Sequence, residues 1–319
     1  MTIGAAITAA MIAVASPSTQ EARVAEVAIE AKGPIGPLSG TMLAAGEGAP
    51  VVLIIPGSGP TDRDGNSPMG VKAGYLKLLA QGLAEKGIGS VRIDKRGMFG
   101  SKGAVAADGE VRIADYVSDV GSWVQAVRTR TGVDCVWLAG HSEGALVALA
   151  AAQAQQHLCG VVLIASPGRP MIPLMREQFQ KNPGNAPILP DVLPVLDAME
   201  RGEVADTSKM DTRVAPIFSP VNQRYLIDAN RYDPAKLAAT YRGPLLIVQG
   251  GRDLQTTMDD ANAIAAARAD AALKVLPEMN HVLKVVPADN PVVNMMSYSH
   301  PDLPLAPGLV DAVAAFVTQ

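Results

Sequence analysis

The sequence is poor in aromatic residues and has no basic run, and these two absences exclude whole classes of partner. Phe, Trp and Tyr together make up 4% of the chain, and none is interleaved with basic residues as a base-stacking surface requires. The formal net charge is -4 and Lys and Arg are not clustered, so neither nucleic acid nor an anionic membrane surface is an expected partner. We therefore expect a small-molecule ligand.

Cysteine is also scarce. Only Cys135 and Cys159 are present, too few for a disulfide framework and without the spacing of a metal site. Both lie in or beside strand-like apolar runs, which favours two inert buried thiols. A single disulfide would require the two strands to be neighbours in register, in an oxidising compartment.

The amino-terminal apolar run, residues 3–15, is too short to span a membrane. Ser and Pro follow it, and Ala13-Val14-Ala15 resembles a small-residue cleavage site. We interpret residues 1–22 as a signal peptide of an exported protein, periplasmic or secreted. No Lys or Arg precedes the run, as a secretory signal normally requires, so an ordinary amino-terminal segment of a cytoplasmic protein is the alternative.

From residue 51 onward, short apolar runs alternate with segments of helical periodicity. This alternation predicts an α/β fold with a mostly parallel sheet covered by helices on both faces. The predicted strands are 51–55, 88–93, 133–139, 161–165, 245–249 and 272–276. The predicted helices lie near 73–86, 112–130, 143–156, 257–268 and 307–317.

Two segments depart from the alternation. Residues 23–31 and 38–45 resemble strands joined by a Gly-Pro turn, and they are predicted to lie antiparallel at one edge of the sheet. Residues 167–240 are rich in Pro and Met and are interpreted as a cap insertion, which leaves 23–166 and 241–319 as the two parts of the core domain. The Met and Leu of the insertion suit an adaptable apolar pocket wall, or serve simple packing.

Gly140-His141-Ser142-Glu143-Gly144 fits the G-x-S-x-G pattern, in which a tight strand-to-helix turn exposes a serine hydroxyl. A predicted strand precedes it and a predicted helix follows it, which is the context that the pattern requires. An unactivated hydroxyl is a poor nucleophile at neutral pH, so Ser142 needs a base and an orienting acid. His141 is adjacent and is expected to point away from the nucleophile.

Of the four histidines, His281 fits the base best, because it lies between the last predicted strand and the final helix. Asp253 follows the strand 245–249, and loops at the carboxyl ends of strands build the site of an open α/β sheet. The order Ser142, Asp253, His281 is that of an α/β hydrolase. Two alternatives stay open: Asp253 could merely cap the next helix, and Glu278 could replace it as the acid.

With these residues the chain resembles the α/β-hydrolase fold serine hydrolases, in the bacterial esterase and serine-aminopeptidase-like branch. The resemblance rests on the segments PGSGPTDRDGN, RIDKRGMFGS, GHSEG, QGGRD and MNHVLK. It implies an oxyanion hole made by the backbone N–H groups of Ser58 and Glu143, with Gly59 as the alternative to Ser58. No cofactor and no metal ion are expected.

Charged residues follow two predicted strand ends and should gather at one rim of the sheet. They are Arg63, Asp64, Asp94 and Arg96. We interpret them as an ion-pair network that holds the oxyanion loop, since buried charges are usually paired. A carboxylate or metal site is one alternative, and binding of an acidic substrate group by an arginine is another. The side chain of Glu143 either joins this network or only begins the helix.

The resulting hypothesis is a serine carboxylesterase that hydrolyses small to medium acyl esters through an acyl-enzyme on Ser142. Amide or peptide hydrolysis with the same triad is the first alternative, and it needs a cap acid to hold the substrate amine, for which Asp197, Glu200 and Glu203 are candidates. A hydrolase fold kept as a non-catalytic binding protein is the second. Acyl-chain length and oligomeric state stay open.

Overall fold

The computed structural model describes residues 25–106, 109–287 and 290–319. Eight strands form one central sheet in the order β1-β2-β6-β3-β7-β8-β9-β10. They are β1 (Glu26–Ala31), β2 (Leu38–Leu43), β3 (Val51–Ile55), β6 (Gly89–Ile93), β7 (Val136–His141), β8 (Leu158–Ile164), β9 (Leu245–Gly250) and β10 (Ala272–Leu276). A small separate hairpin consists of β4 (Asn66–Ser67) and β5 (Val71–Lys72). The predicted signal peptide, 1–22, lies outside the described residues.

The predicted fold class is confirmed. β1 pairs antiparallel with β2, and β2 pairs antiparallel with β6, as expected for leading strands at one edge. All pairs from β6 to β10 are parallel. Every residue of β3 is buried, because helices cover both faces of the sheet and a polar alternation would have no solvent to face.

Ten α-helices are described. They are α1 (Tyr75–Glu85), α2 (Ile113–Thr131), α3 (Glu143–Ala152), α4 (Met171–Lys181), α5 (Leu189–Glu200), α6 (Pro220–Ala229), α7 (Pro234–Thr240), α8 (Met258–Ala267), α9 (Pro291–Met296) and α10 (Leu309–Val317). Short 3-10 turns occupy Phe99–Ala104, Pro183–Ile188 and Ser297–Ser299. In the described part of the chain, none of the helices has the length and apolarity needed to cross a membrane.

Apolar side chains from both faces of the sheet form the core. One cluster lies under α2, α3 and α8 and contains Trp123, Leu146 and Ile264. The other lies under α1 and α10 and contains Leu79 and Val313. The layered packing leaves the carboxyl ends of the parallel strands free to carry loops, and Ser142 and Asp253 follow β7 and β9 there.

The segment between β8 and β9 contains four helices, α4 to α7. Residues of α4 and α5 and of the loop before α6 form a third apolar cluster, which includes Ile172, Leu196 and Phe218. α7 differs, because its Ala238 packs into the cluster under α2 and α3. Prolines at the first turns of α5, α6 and α7 begin these helices rather than break them, since the first helical positions need no N–H donor.

Cys135 and Cys159 form a disulfide, so the expectation of two inert thiols is wrong. Their Cα atoms lie 5.2 Å apart. The reason is strand order: Cys159 lies in β8, Cys135 directly precedes β7, and these neighbouring strands pair from Val136 and Leu158 onward. The bond therefore joins the amino ends of two parallel strands. The loop that carries Ser142 lies at the opposite, carboxyl end of these strands.

Candidate active site

The turn between β7 and α3 has the geometry of a nucleophile elbow. Ser142 has φ 54° and ψ -123°, a region that a residue with a Cβ rarely adopts. Its N–H donates to the Ile164 carbonyl at 2.9 Å. A Cβ on Gly140 would lie 2.1 Å from the Gly144 oxygen, and one on Gly144 would lie 2.3 Å from the Ile55 oxygen. Both glycines are thus required by close backbone approach, which keeps the serine in its strained conformation.

Asp253 and His281 lie together in a buried pair. His281 Nδ1 is 2.8 Å from Asp253 Oδ2, and the two residues are 5% and 7% exposed. Asp253 Oδ1 accepts the N–H groups of Gln255 and Thr256 at 2.8 and 3.0 Å, and Oδ2 also accepts the Thr256 hydroxyl. Burial acts to raise the pKa of Asp253, but the His281 contact and the backbone donors outweigh it, so this pKa lies below its usual value. The carboxyl is therefore an anion at neutral pH.

The geometry favours neither of the two alternatives, Asp253 as a mere helix cap or Glu278 as the orienting acid. α8 is capped by Thr257, whose side chain and that of Asp260 form a reciprocal capping box, so the helix does not depend on Asp253 for its cap. Glu278 is exposed beyond β10, whereas Asp253 is the carboxylate in contact with His281.

The candidate oxyanion donors lie on either side of the elbow. Glu143 is the first residue of α3, so its N–H has no acceptor within the helix. Ser58 follows Gly57, and a Cβ on Gly57 would lie 3.2 Å from the Cβ of Ser142, which shows how closely this loop approaches the serine. Gly59 has φ 64° and its carbonyl accepts the Thr61 N–H in a tight turn.

The four rim charges all take part in ion pairs, but in separate groups. Arg63 donates to Asp94 through its backbone N–H at 2.9 Å and through Nε at 3.1 Å. Asp94 is 2% exposed and also accepts the Gly100 N–H at 2.9 Å. This pair attaches the loop after β3 to the end of β6.

The other two predicted charges pair with residues that sequence reasoning did not single out. Asp64 contacts Arg92, a fully buried arginine of β6 that also binds Glu26 at 2.8 Å. Arg96 binds Asp119 of α2 through two nitrogens at 2.6 and 2.7 Å. Among the described residues, no group of three or more His, Cys, Asp or Glu side chains could hold a metal ion.

The side chain of Glu143 lies in a buried pair with Lys95. Glu143 Oε1 is 2.8 Å from Lys95 Nζ, and both side chains are almost completely buried. Lys95 Nζ also lies over the ring of Tyr116, 5.2 Å from its centre. The second oxygen of Glu143 and the Tyr225 hydroxyl are both buried, and burial, together with the charge of Glu143 and the contact with its side chain, raises the pKa of Tyr225 well above its usual value. Tyr225 belongs to α6, so the pair lies where the inserted helices meet the elbow.

Lys95→Met should destabilise the protein by about 3–5 kcal/mol, because it leaves the Glu143 carboxylate buried without its partner. The double variant Lys95→Met/Glu143→Leu should recover most of this loss, since apolar groups of similar volume carry no desolvation cost. Urea unfolding measures both.

Lys86→Met is the matched control, because Lys86 pairs with Asp311 on the exposed surface. It should leave the unfolding midpoint nearly unchanged, since surface pairs contribute little. Equal losses for Lys86→Met and Lys95→Met, or no recovery in the double variant, would contradict the assignment of a buried, coupled pair.

The family model described as serine aminopeptidase, S33, matches residues 69–219. Esterase EstD of Thermotoga maritima is 28% identical over 258 residues, which cover 79% of this chain and 59% of that protein. The chain therefore spans about three fifths of the length of the curated relative that it matches.

Solved structures match over nearly the whole chain. An esterase of Pyrococcus furiosus has a TM-score of 0.55 at 14% identity, covering 96% of each chain. A thermophilic esterase of Thermogutta terrifontis has a TM-score of 0.54 at 18% identity, and an α/β fold family hydrolase of Bacillus anthracis one of 0.53 at 15%. Each of these two covers 92% of this chain and is itself covered to 98%. At this identity the likeness shows the fold, and that fold is the α/β-hydrolase fold that the sequence resemblance implied.

Proposed function

We propose that this protein, a chain with the α/β-hydrolase fold and sequence similarity to a bacterial esterase, is a carboxylesterase that hydrolyses small to medium acyl esters. The observation that carries the proposal is the buried Asp253–His281 pair, with Nδ1 and Oδ2 at 2.8 Å, packed against the residue that precedes Ser142. The name of the relative, esterase EstD, supports the same bond class.

The reaction begins with attack of the Ser142 hydroxyl oxygen on the ester carbonyl carbon, while His281 Nε2 takes the hydroxyl proton. Asp253 accepts the Nδ1–H of His281, which leaves the lone pair of the ring on Nε2. The alkoxide leaves with the proton from His281, and an acyl group remains on Ser142. Water, deprotonated by His281, then attacks the acyl carbonyl, and the proton returns to Ser142 as the acid leaves.

Charge on the carbonyl oxygen is stabilised by the backbone N–H groups of Ser58 and Glu143. A donor of this kind contributes about 3–4 kcal/mol to the transition state when it is held in place beforehand. Ser142, with its positive φ, and the N–H of Glu143, the first of α3, belong to the same strand-to-helix turn. The strained elbow thus serves both the nucleophile and one donor.

The cap acids favour an ester over an amide with a free amino group. Asp197 and Glu200 share Arg176, at 2.8 and 2.7 Å, and Glu203 pairs with Arg201 at 2.8 Å. An aminopeptidase-like site would use one of these acids to hold the substrate ammonium, but their side chains are 39–60% exposed and each lies beside an arginine whose positive charge opposes a second cation. We therefore rank ester hydrolysis above amide hydrolysis.

A substrate panel tests the proposal directly. Nitrophenyl esters of increasing acyl length should be hydrolysed, with the short and medium chains preferred, and aminoacyl nitroanilides should be cleaved far more slowly. A fluorophosphonate probe should label the native protein and not the heat-denatured control. Preference for the anilides would establish the amide alternative, and absence of labelling with intact fold would favour a binding protein.

We also propose that the protein is exported, since the disulfide between Cys135 and Cys159 suits an oxidising compartment. The signal peptide predicted for residues 1–22 is the corresponding expectation. Fractionation of the producing cells and sequencing of the mature amino terminus test both. An uncleaved protein with two free thiols in the cytoplasm would contradict the proposal.

A further inference from the structure

His141, the residue before Ser142, connects two parts of the site that are far apart in the chain. His141 Nε2 lies 2.8 Å from the backbone carbonyl oxygen of His281, and His141 Nδ1 lies 3.3 Å from the hydroxyl of Tyr75. All three residues are at most 5% exposed. The ring of His141 is 4.8 Å from that of His281 and 4.7 Å from that of Tyr75, measured between centres.

The chemistry of these contacts defines the tautomer of His141. A carbonyl oxygen can only accept, so Nε2 must carry the proton and donate to His281. Nδ1 then has the lone pair, and the Tyr75 hydroxyl donates to it. Burial, with the neighbouring His281 acting in the same direction, lowers the pKa of His141 to about 3, so the ring is neutral at physiological pH. The neutral ring of His141 therefore accepts a hydrogen bond from Tyr75 at Nδ1 and donates one to the backbone of His281 at Nε2.

We propose that His141 is a positioning residue for His281: its Nε2–H holds the His281 carbonyl, and the Tyr75 hydroxyl, by donating to Nδ1, holds the ring of His141 in place for that contact. The proposal rests on the proposed function in one respect, the assignment of His281 as the base. His141 itself exchanges no proton in the reaction.

The described residues of the loop that carries His281, 277–287, contain no helix and no strand of the sheet, and an isolated bridge between Met279 and Val285 joins the two sides of this loop. Asn280 provides one anchor, with its side-chain nitrogen 3.0 Å from Asn294 and 2.7 Å from Ser297. That anchor acts on the residue before the base, whereas His141 acts on the backbone of the base itself. Because His141 is also the chain neighbour of Ser142, movement of the nucleophile strand and of the base is coupled through one hydrogen bond.

Neutrality of His141 has a second consequence. When His281 accepts the Ser142 proton it becomes a cation, and a charged ring 4.8 Å away would oppose that step. Among Tyr75, His141 and Asp253, only Asp253, on the other side of His281, then carries a charge that acts on the imidazolium. Holding His141 neutral therefore leaves the stabilisation by Asp253 undiminished.

The tautomer is measured without any substrate by nitrogen-15 NMR of histidine-labelled protein. His141 should give the signals of a neutral ring protonated at Nε2, unchanged from about pH 5 to pH 8. A ring protonated at Nδ1, or one that titrates in this range, would overturn the proposal even if the protein proved to have no esterase activity. An inactive wild-type protein with the expected spectrum would instead count against the proposed function alone.

Two substitutions separate the contacts in the active enzyme. His141→Gln keeps a donor at the reach of Nε2, and His141→Asn keeps a polar group at the position of Nδ1 but cannot reach His281. The expected result is that the Gln variant stays within roughly threefold of wild-type kcat, while the Asn variant loses roughly 10²-fold with little change in KM, because a displaced base harms the chemical step and not ground-state binding. Equal kcat values for the two variants would overturn the assignment.

Tyr75→Phe keeps the buried ring and removes only the hydroxyl, so it tests the positioning role of His141 even if the His141→Asn variant does not fold. It leaves His141 Nδ1 without its donor, so the ring is held at Nε2 only, and kcat should fall by roughly tenfold with an unchanged KM. The NMR spectrum of this variant should still show a ring protonated at Nε2, because the His281 carbonyl accepts there, but with a shifted Nδ1 signal. A spectrum and a kcat identical to those of the wild type would overturn the role of Tyr75.

Discussion

Ser142→Ala should reduce ester hydrolysis by a factor on the order of 10⁶ in kcat, because no other atom at the elbow can form the acyl-enzyme. The residual rate would come from the oxyanion donors and from water. The fold should be unaffected, since the Ser142 backbone is held by its N–H bond to Ile164 and by the close contacts of Gly140 and Gly144, and none of these involves the hydroxyl.

The measurement is kcat on a nitrophenyl ester, together with fluorophosphonate labelling and the melting temperature. Ser208→Ala is the control, because Ser208 is exposed in the loop before α6. Ser142→Ala should lose labelling entirely while Ser208→Ala is labelled like the wild type. Retention of activity and labelling by Ser142→Ala would place the nucleophile on another residue.

The sequence was most informative where burial dictates composition. β3 and β10 occur with the boundaries that their apolar runs predict. β7 begins at Val136, three residues later than the apolar run suggested, because Gly132 ends α2 in a left-handed conformation and the pairing of β7 with β8 begins only at Val136 and Leu158. Local pattern therefore predicts that a strand exists, and neighbouring elements determine where it begins.

The inserted helices were not predicted because proline has two opposite meanings. In residues 167–240 the prolines mark a break in the alternation, which is interpreted as a cap insertion without assigned helices. Pro220 and Pro234 instead occupy the first positions of α6 and α7, where the fixed φ of proline suits a helix. In the sequence, a proline in irregular structure and a proline at the first position of a helix are the same residue. Only the packing of the helix that follows distinguishes them.

Contacts across long chain separations account for the other residues that were missed. Lys95 and Glu143 are separated by 48 positions, and His141 and His281 by 140. No periodicity relates such positions, and they meet because β6, β3 and β7 are neighbours in the sheet and the loop after β10 folds back over the elbow. The motif GHSEG indicated a nucleophile. The buried partners of His141 and Glu143, on either side of Ser142, follow only from the three-dimensional packing.

Asp253→Asn should lower kcat by about 10⁴ at neutral pH, because the amide forces His281 into the wrong tautomer. Asp253 Oδ1 accepts the N–H groups of Gln255 and Thr256, so the single oxygen of an asparagine would have to face these two donors. Its NH₂ group would then face His281 Nδ1, which would have to accept. The His281 proton would move to Nε2, where it prevents the ring from taking the Ser142 proton.

The control is Glu278→Gln, which removes the other carboxyl near His281 in the chain. Glu278 is exposed, so this variant should keep wild-type kcat. NMR of His281 in the Asp253→Asn variant should show Nε2–H in place of Nδ1–H. If Glu278→Gln lost activity and Asp253→Asn kept it, the orienting acid would be Glu278. The lowered pKa of Asp253 also implies that its carboxylate stays ionised as the pH falls to the ordinary pKa of an aspartate, so Asp253 should not be lost as the orienting acid through protonation above that pH.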